Sequence, residues 1–265
     1  MLTNKFKINY SIGAVANGIK TDTFTFFLLF FYSNIIGLNP ALAGSAIFIA
    51  LCVDAVTDPL MGTISDRTNS SYGRRHPFMM ISFIPMSLGY IFLFAPRQDW
   101  DMSQSDLFIW MTIFTVITRI GMTLFDIPHR AFGGEVTKNY KERTILMSWR
   151  EMFGWVAGLS NAFLGYGVFF ASTPEYPQGQ LNPDAWFPFA VTGAIFMIVS
   201  VLYSSLSTKD EIKSLSKWSG SISLLDIFNE LKIAIGNKSF LIFFFGNLFL
   251  SLAWGLANTL TLFVN

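Results

Sequence analysis

A chain of 265 residues with 52% hydrophobic, 17% aromatic and only 13% charged residues carries about half the charge of a typical soluble domain, in which roughly 25% of residues are charged. This balance, with 29 phenylalanines, indicates that lipid is the solvent. The net charge of +1 and the lack of a basic stripe with interleaved aromatics argue against a nucleic-acid partner, and the single cysteine excludes an internal disulfide.

Six complete apolar runs follow in chain order, each long enough to cross a hydrocarbon core of about 30 Å as a helix. They cover approximately residues 10–36, 41–63, 77–95, 107–128, 147–171 and 185–206. A seventh run starts near residue 239. The short segments of alternating polarity that build membrane barrels do not occur in the sequence, so we predict an all-α integral membrane protein.

Basic residues concentrate at the N-terminus and in alternate loops, the second, fourth and sixth. These positions are Lys5, Lys7, Arg67, Arg74, Arg75, Arg130, Lys138, Lys141, Arg143, Lys209, Lys213, Lys217, Lys232 and Lys238. Because Lys and Arg accumulate in cytoplasmic loops, we predict a multi-pass protein of a cytoplasmic (inner) or plasma membrane with its N-terminus in the cytoplasm.

The longest polar stretch, residues 207–236, is rich in Ser and Lys and is expected to be a cytoplasmic linker. The predicted organisation is therefore a six-helix N-terminal bundle over 1–206, the linker over 207–236, and the start of a second bundle with a truncated seventh helix over 237–265. A seventh helix that begins another bundle suggests an incomplete molecule.

A few ionisable side chains fall at bilayer depth, where each costs at least about 2.5–3.5 kcal/mol at the helix centre on insertion scales. They are Lys20, Asp22, Asp54, Asp58, Arg119, Asp126, Arg150 and Glu151. Such side chains usually face a cavity and have a function. Lys20 and Asp22 are two positions apart and face different ways, so at least one of them should line the cavity.

Asp54 and Asp58 lie one helical turn apart and project from one face. When two carboxylates lie this close together in a low-dielectric environment, they cannot both ionise at low cost unless a cation is present. The pair therefore predicts a site for a monovalent cation, in which hard oxygen ligands hold Na⁺ or share protons. The alternatives are a pair solvated at a helix end, or one neutralised by Lys or Arg on another helix.

The other charges also have a structural alternative. Asp126 shares a helix face with Thr123 and Arg119, and Arg119 could simply neutralise Asp126. Arg150 could extend to the interface. His76 and His129 flank cytoplasmic loops, so we expect solvated loop histidines rather than a proton relay. No metal-ligand cluster, phosphate-binding glycine loop or catalytic triad is evident in the sequence, and we predict neither enzyme activity nor a cofactor.

Several stretches resemble one family of transporters. The sequence DAVTDPLMGTISDRTNSSYGRRHPF is similar to helix 2 and the following loop of the glycoside–pentoside–hexuronide:cation symporters, a melibiose-permease-like branch of the major facilitator superfamily. GMTLFDIPHRAF resembles helix 4 of that family, SWREMFGWVAG the start of helix 5, and INYSIGAVANG and FFYSNIIGL helix 1. The resemblance implies two six-helix bundles with a binding site between them.

The resemblance also implies roles for individual residues. Asp54 and Asp58 would bind the coupling ion, Na⁺ or H⁺, with Thr123 as a further ligand. Asp126 and Arg150 would bind substrate. Melibiose-permease-like members have a sugar-binding aspartate where this chain has Gly18 and a tryptophan where it has Arg130, and both departures argue against galactoside recognition.

A cavity with Lys20, Arg119 and Arg150 would suit an acidic sugar such as a hexuronide, and Asp22 completes the predicted substrate-binding set. The loop residues Asp66, Arg67, Arg74 and Arg75 would form a cytoplasmic gate. We therefore predict cation-coupled symport of a sugar, glycoside or hexuronide by alternating access. The alternatives are a carrier of lipid or another small molecule with the same fold, or a non-transporting truncated membrane protein.

Overall fold

The computed structural model describes residues 2–209, 211, 232–233 and 236–264. Every regular element in these ranges is helical, which confirms the predicted all-α fold. The chain divides into two units, Met1–Ser219 and Gly220–Asn265. Most of the predicted linker, residues 210, 212–231 and 234–235, lies outside the described residues, and the proposed domain boundaries stay a prediction.

The first unit contains nine α-helical segments among its described residues. They are α1 (Asn4–Ser11), α2 (Ala14–Asp22), α3 (Leu28–Phe30), α4 (Pro40–Arg67), α5 (His76–Ile81), α6 (Phe83–Leu93), α7 (Gln104–Glu135), α8 (Tyr140–Leu164) and α9 (Trp186–Ser207). Two π-helical segments, Thr23–Phe27 and Phe31–Ile36, flank α3, and a third, Gly165–Phe169, extends α8. In the second unit, α10 (Lys238–Val264) begins where the seventh helix is predicted.

Five stretches of helix among the described residues are long and apolar enough to cross a membrane. They are Pro40–Arg67, His76–Leu93, Gln104–Glu135, Tyr140–Phe169 and Pro183–Ser207. These five agree with the second to sixth predicted spans. The fourth predicted span corresponds to α7, which runs to Glu135 and so extends past the predicted end at residue 128. The prediction ended too early because the residues after 128 are more polar, although they continue the helix.

The first predicted span is helical but interrupted after Ser11. The carbonyl oxygen of Tyr10 accepts hydrogen bonds from His129 Nε2 at 3.0 Å, Ser204 Oγ at 3.1 Å and the Gly13 N–H at 3.1 Å. Side chains that enter the hydrogen-bond ladder of a helix break it. The turn at Ile12 and Gly13 between α1 and α2 therefore follows from bonds made by α7 and α9.

The helices pack in a defined order. α2 packs against α8 and α9, α4 against α7, and α6 against α7 and α9. The ring of Trp186, at the start of α9, is buried among the aromatic rings of Phe31, Phe94 and Phe170. Aromatic packing thus fixes one end of the bundle. The polar residues of α2, α4 and α7 line a separate cavity, which is described below.

The crossing of α2 and α8 depends on glycine. A Cβ atom at Gly18 would overlap the backbone carbonyl of Gly154, and one at Gly158 would lie 3.3 Å from the carbonyl oxygen of Gly18. Small residues let membrane helices approach this closely. Gly18 is the position at which melibiose-permease-like members have an aspartate. In this chain it is a packing position at which no side chain fits.

We expect Gly18→Ala to destabilise the full-length protein by about 1–3 kcal/mol, the usual cost of overpacking. Thermal unfolding in detergent measures this effect. Gly44→Ala is the matched control, because no atom lies within 4 Å of a Cβ at Gly44. Equal unfolding midpoints for the two variants would contradict the tight crossing.

Candidate functional site

A cavity of about 80 Å³ lies between α2, α4 and α7. Its walls are Asn17, Lys20, Asp54, Asp58, Arg119, Met122, Thr123, Asp126 and Ile127. The five α7 positions follow the i, i+3, i+4, i+7, i+8 pattern of a single helix face, and the two aspartates of α4 lie one turn apart. The cavity therefore brings together three elements that are distant in sequence.

The two α4 aspartates have different partners on α7. Arg119 Nη1 donates to Asp54 Oδ2 in an ion pair whose side chains are 12% and 21% exposed, respectively. Thr123 Oγ1 donates to Asp58 Oδ1 at 2.7 Å. The alternative that a basic residue of another helix neutralises the aspartates therefore applies to Asp54. Among the described residues, Asp58 has no basic partner.

Asp126 belongs to a second cluster of charges. Its Oδ2 accepts from Arg130 Nε at 2.7 Å, and its Oδ1 accepts from Arg150 Nη2. Both arginines also bind Glu151 Oε1, at 3.3 and 2.7 Å. Arg150 is only 1% exposed, so it does not extend to the interface. Arg119 pairs with Asp54 and not with Asp126.

The expectation of solvated loop histidines is wrong, because both side chains are buried. His129 stacks on the Tyr10 ring at a centroid distance of 4.1 Å, and His76 lies 3.2 Å from the Thr208 hydroxyl. Each residue lies within a helix that extends past the apolar run from which the span was predicted, so hydropathy alone placed it at a loop.

The hydrogen bonds of His129 define its tautomer. Arg150 Nε donates to His129 Nδ1 at 3.3 Å, so Nδ1 is an acceptor and Nε2 carries the proton that is donated to the Tyr10 carbonyl. His129 is thus a neutral link between the ion cluster at Asp126 and the turn in the first helix. The i, i+3 spacing of His129 from Asp126 places both residues on one face of α7, but the sequence does not show that Arg150 and Tyr10 lie beside that face.

The two charged residues of α2 separate as the sequence predicts. Lys20 lines the cavity; its ammonium lies 5.9 Å from the centroid of the Phe24 ring and makes no ion pair within the described part of the chain. Asp22 is 8% exposed and turns away towards α8, where Asn161 Nδ2 donates to its Oδ2 at 3.0 Å. Asp22 is thus outside the cavity walls.

Three of the four predicted gating residues, Asp66, Arg74 and Arg75, form a compact network at the end of α4. Arg75 donates to the Asp66 carboxylate, and its Nη1 lies 2.7 Å from Glu135 Oε2. Arg74 also binds Glu135, and Arg67 is the last residue of α4. The sequence reasoning missed Glu135, the last residue of α7, although it is the first acidic residue after the predicted fourth span.

A helical bundle with helices of membrane-spanning length and a charged cavity among them is the arrangement of a multi-pass membrane transporter. The chain belongs to the family described as MFS/sugar transport protein, which matches residues 9–265. This confirms the resemblance drawn from the motifs. Members of this family are transporters and not enzymes, in agreement with the prediction.

Three curated relatives indicate the range of the family. The chain is 32% identical to an uncharacterized symporter of Synechocystis sp. over 78% of its length and 38% of that protein's. It is 31% identical to the sodium-dependent lysophosphatidylcholine symporter 1-A of Danio rerio (65% and 32% covered) and 24% identical to the glucuronide carrier protein homolog of Escherichia coli (63% and 36%). The chain spans less than half the length of these relatives.

We expect Asp126→Asn to lower the free energy of unfolding by about 1–3 kcal/mol, because the buried Arg150 loses one of its two carboxylate partners and keeps Glu151. Thermal unfolding of the full-length protein in detergent is the measurement. The comparison variant is Glu151→Gln, in which the lost carboxylate is 50% exposed and the loss should be smaller. If Glu151→Gln proved the more damaging of the two, Asp126 would not be the main partner of Arg150.

Proposed function

We propose that this chain forms part of a symporter that couples the movement of a monovalent cation, Na⁺ or H⁺, to that of a sugar or glycoside by alternating access. The observation that carries the proposal is the position of Asp54 and Asp58 in one cavity with Asp126. Carboxylates at membrane depth are costly and typically bind ions or substrates. The family and the relatives that are named symporters support the same function.

The proposed cation site consists of Asp54, Asp58 and Thr123. The Thr123 hydroxyl donates its proton to Asp58 Oδ1, which leaves the second carboxylate oxygen and the hydroxyl lone pairs free to contact a cation. Such hard oxygen ligands suit Na⁺, and the carboxylate alone suits H⁺. A relative named as sodium-dependent supports Na⁺ without deciding between the two ions.

The proposed substrate site is the neighbouring part of the same cavity, with Asp126 as the hydroxyl-binding group. Arg150 is held by Asp126 and Glu151, so we assign it the task of orienting Asp126. Lys20 and Arg119 also line this space and would favour an acidic sugar, a class to which the glucuronide carrier homolog points. Asp22 has no place in this assignment, because Asn161 binds it away from the cavity.

A lipid carrier of the same fold is the second candidate, favoured by the relative that is named a lysophosphatidylcholine symporter. Competition of labelled glucuronide uptake by unlabelled sugars or by lysophosphatidylcholine separates the two functions. Uptake of neither compound by the full-length protein in proteoliposomes would support a non-transporting membrane protein.

The proposed orientation follows the basic loops, with the N-terminus in the cytoplasm and the protein in an inner or plasma membrane. The network of Asp66, Arg74, Arg75 and Glu135 would then lie at the cytoplasmic side, where it ties the loop after α4 to the end of α7. We propose that it opens and closes as the bundles rock.

We expect Asp58→Asn in the full-length protein to reduce cation-driven uptake of labelled glucuronide by proteoliposomes to the level of vesicles without protein. The variant removes the charge that holds the cation but leaves an oxygen to accept from Thr123, and it exposes no unpaired arginine because Asp58 has no basic partner in the described chain. Uptake driven by imposed Na⁺ and H⁺ gradients is the measurement. Asp99→Asn, a change at a 70% exposed loop carboxylate, is the control; uptake at the control level would refute the cation site.

We expect Asp66→Arg to lower uptake and to shift the protein towards its inward-open state, because a third positive charge beside Arg74 and Arg75 breaks the network. Labelling of single cysteines on the two sides of the membrane reports the shift. The matched control is Asp184→Arg, a charge reversal at an exposed carboxylate in another loop. If uptake and labelling matched those of the control, these residues would not form a gate.

A further inference from the structure

The ion pair between Arg119 and Asp54 occupies the cation site that we propose above. The guanidinium of α7 lies on the carboxylate of α4 within the cavity wall, and both side chains are mostly buried. An incoming cation needs the same carboxylate. Since two positive charges repel each other strongly at close range in a low-dielectric setting, the cation and Arg119 compete for Asp54.

Two atoms of this ion pair are left without a hydrogen bond. Asp54 Oδ1 and Arg119 Nε are both buried and have no partner in the described part of the chain. Buried polar atoms are nearly always satisfied in folded proteins, so unsatisfied ones need an explanation. An exchange of partners supplies one, because a cation would satisfy Asp54 and an anionic group would satisfy Arg119.

The other charges of the cavity support such an exchange. Asp126 and Glu151 balance Arg130 and Arg150 in the second cluster. The other charged residues of the cavity wall within the described part of the chain are two cations, Lys20 and Arg119, and two anions, Asp54 and Asp58. Their charges also sum to zero. A cation bound with a neutral sugar would therefore leave one uncompensated positive charge, whereas a cation bound with a carboxylate restores neutrality.

The Phe24 ring offers the Arg119 guanidinium a second place to bind once it leaves Asp54. Arg119 Cζ lies 5.4 Å from the centroid of the Phe24 ring, and the Lys20 ammonium lies 5.9 Å from the same ring. An aromatic face holds a cation through its quadrupole. A displaced Arg119 would thus remain in the cavity, beside Lys20 and available to a substrate.

We propose that Arg119 is a tethered competitor of the coupling cation: the cation displaces it from Asp54, and the freed guanidinium binds an anionic group of the substrate. Arg119 is then a specificity-determining residue, and it makes each ligand raise the affinity for the other. This inference rests on the proposed symport function, but it concerns residues to which that function assigns no such exchange.

The test uses Arg119→Gln in the full-length protein purified in detergent. Without substrate, thermal unfolding is followed during titration with NaCl against choline chloride, and in parallel with pH. A ligand that binds the folded state raises the unfolding midpoint with its concentration. Because the competitor is gone, we expect half-saturation at about one tenth of the Na⁺ or H⁺ concentration needed by the wild type, within the roughly 5- to 150-fold range of ligand coupling.

The substrate half uses two compounds that differ only in the carboxylate, phenyl β-D-glucuronide and phenyl β-D-glucoside, with binding measured at saturating cation. We expect the preference of the wild type for the glucuronide to fall about tenfold in Arg119→Gln, again within the range of ligand coupling. Arg119→Lys keeps the positive charge and should preserve much of both effects. Arg97→Gln, at a 62% exposed loop arginine, is the control and should change neither.

The opposite signs of the two effects identify the mechanism, since a merely structural role for Arg119 would weaken cation and substrate binding together. Unchanged or weaker binding of both Na⁺ and H⁺ by Arg119→Gln would overturn the competition. An unchanged glucuronide preference would overturn the substrate role. If the wild type bound neither compound, the sugar assignment of the proposed function would fail, while the cation titration would still decide whether Arg119 competes for Asp54.

Discussion

The ion pair between Arg119 and Asp54 shows the constraint on which the site depends. A charge at bilayer depth is expensive unless another charge or a cavity compensates it, and this chain compensates its charges across helices. Arg119 joins α7 to α4, and Arg150 joins α8 to α7. The same contacts that make the charges tolerable therefore hold the helices in register and define the cavity walls.

A second chain of contacts links the site to the backbone of the first helix. Asp126 binds Arg150, Arg150 donates to His129, and His129 donates to the carbonyl of Tyr10 at the turn between α1 and α2. Asn17 and Lys20, which follow this turn, line the cavity. A change at Asp126 can thus reach another wall of the site through three hydrogen bonds in series.

The sequence was sufficient for the parts of the fold that depend on hydrophobicity. The apolar runs predicted the second to sixth spans, and the spacing of Asp54 and Asp58 predicted a shared face in a cavity. The sequence could not decide whether Arg119 pairs with Asp126 or with Asp54. Asp126 lies two turns away on the same helix face, and pairing with Asp54 depends on how α4 packs on α7. The burial of His129 and the role of Gly18 were also beyond it, since both follow from the position of a neighbouring helix.

The charge distribution of the cavity carries a consequence for coupling that does not depend on the shape of the substrate. With Arg119 on Asp54, the described charges of the cavity wall and of the Asp126 cluster balance, and they balance again when a cation and an anionic substrate bind together. A cavity with only one of these ligands carries a net charge, which is costly to enclose between membrane helices. The proposed symporter would therefore resist closing around a single ligand. Coupling would arise from the cost of an unbalanced charge, with Arg119 as the group that changes partner.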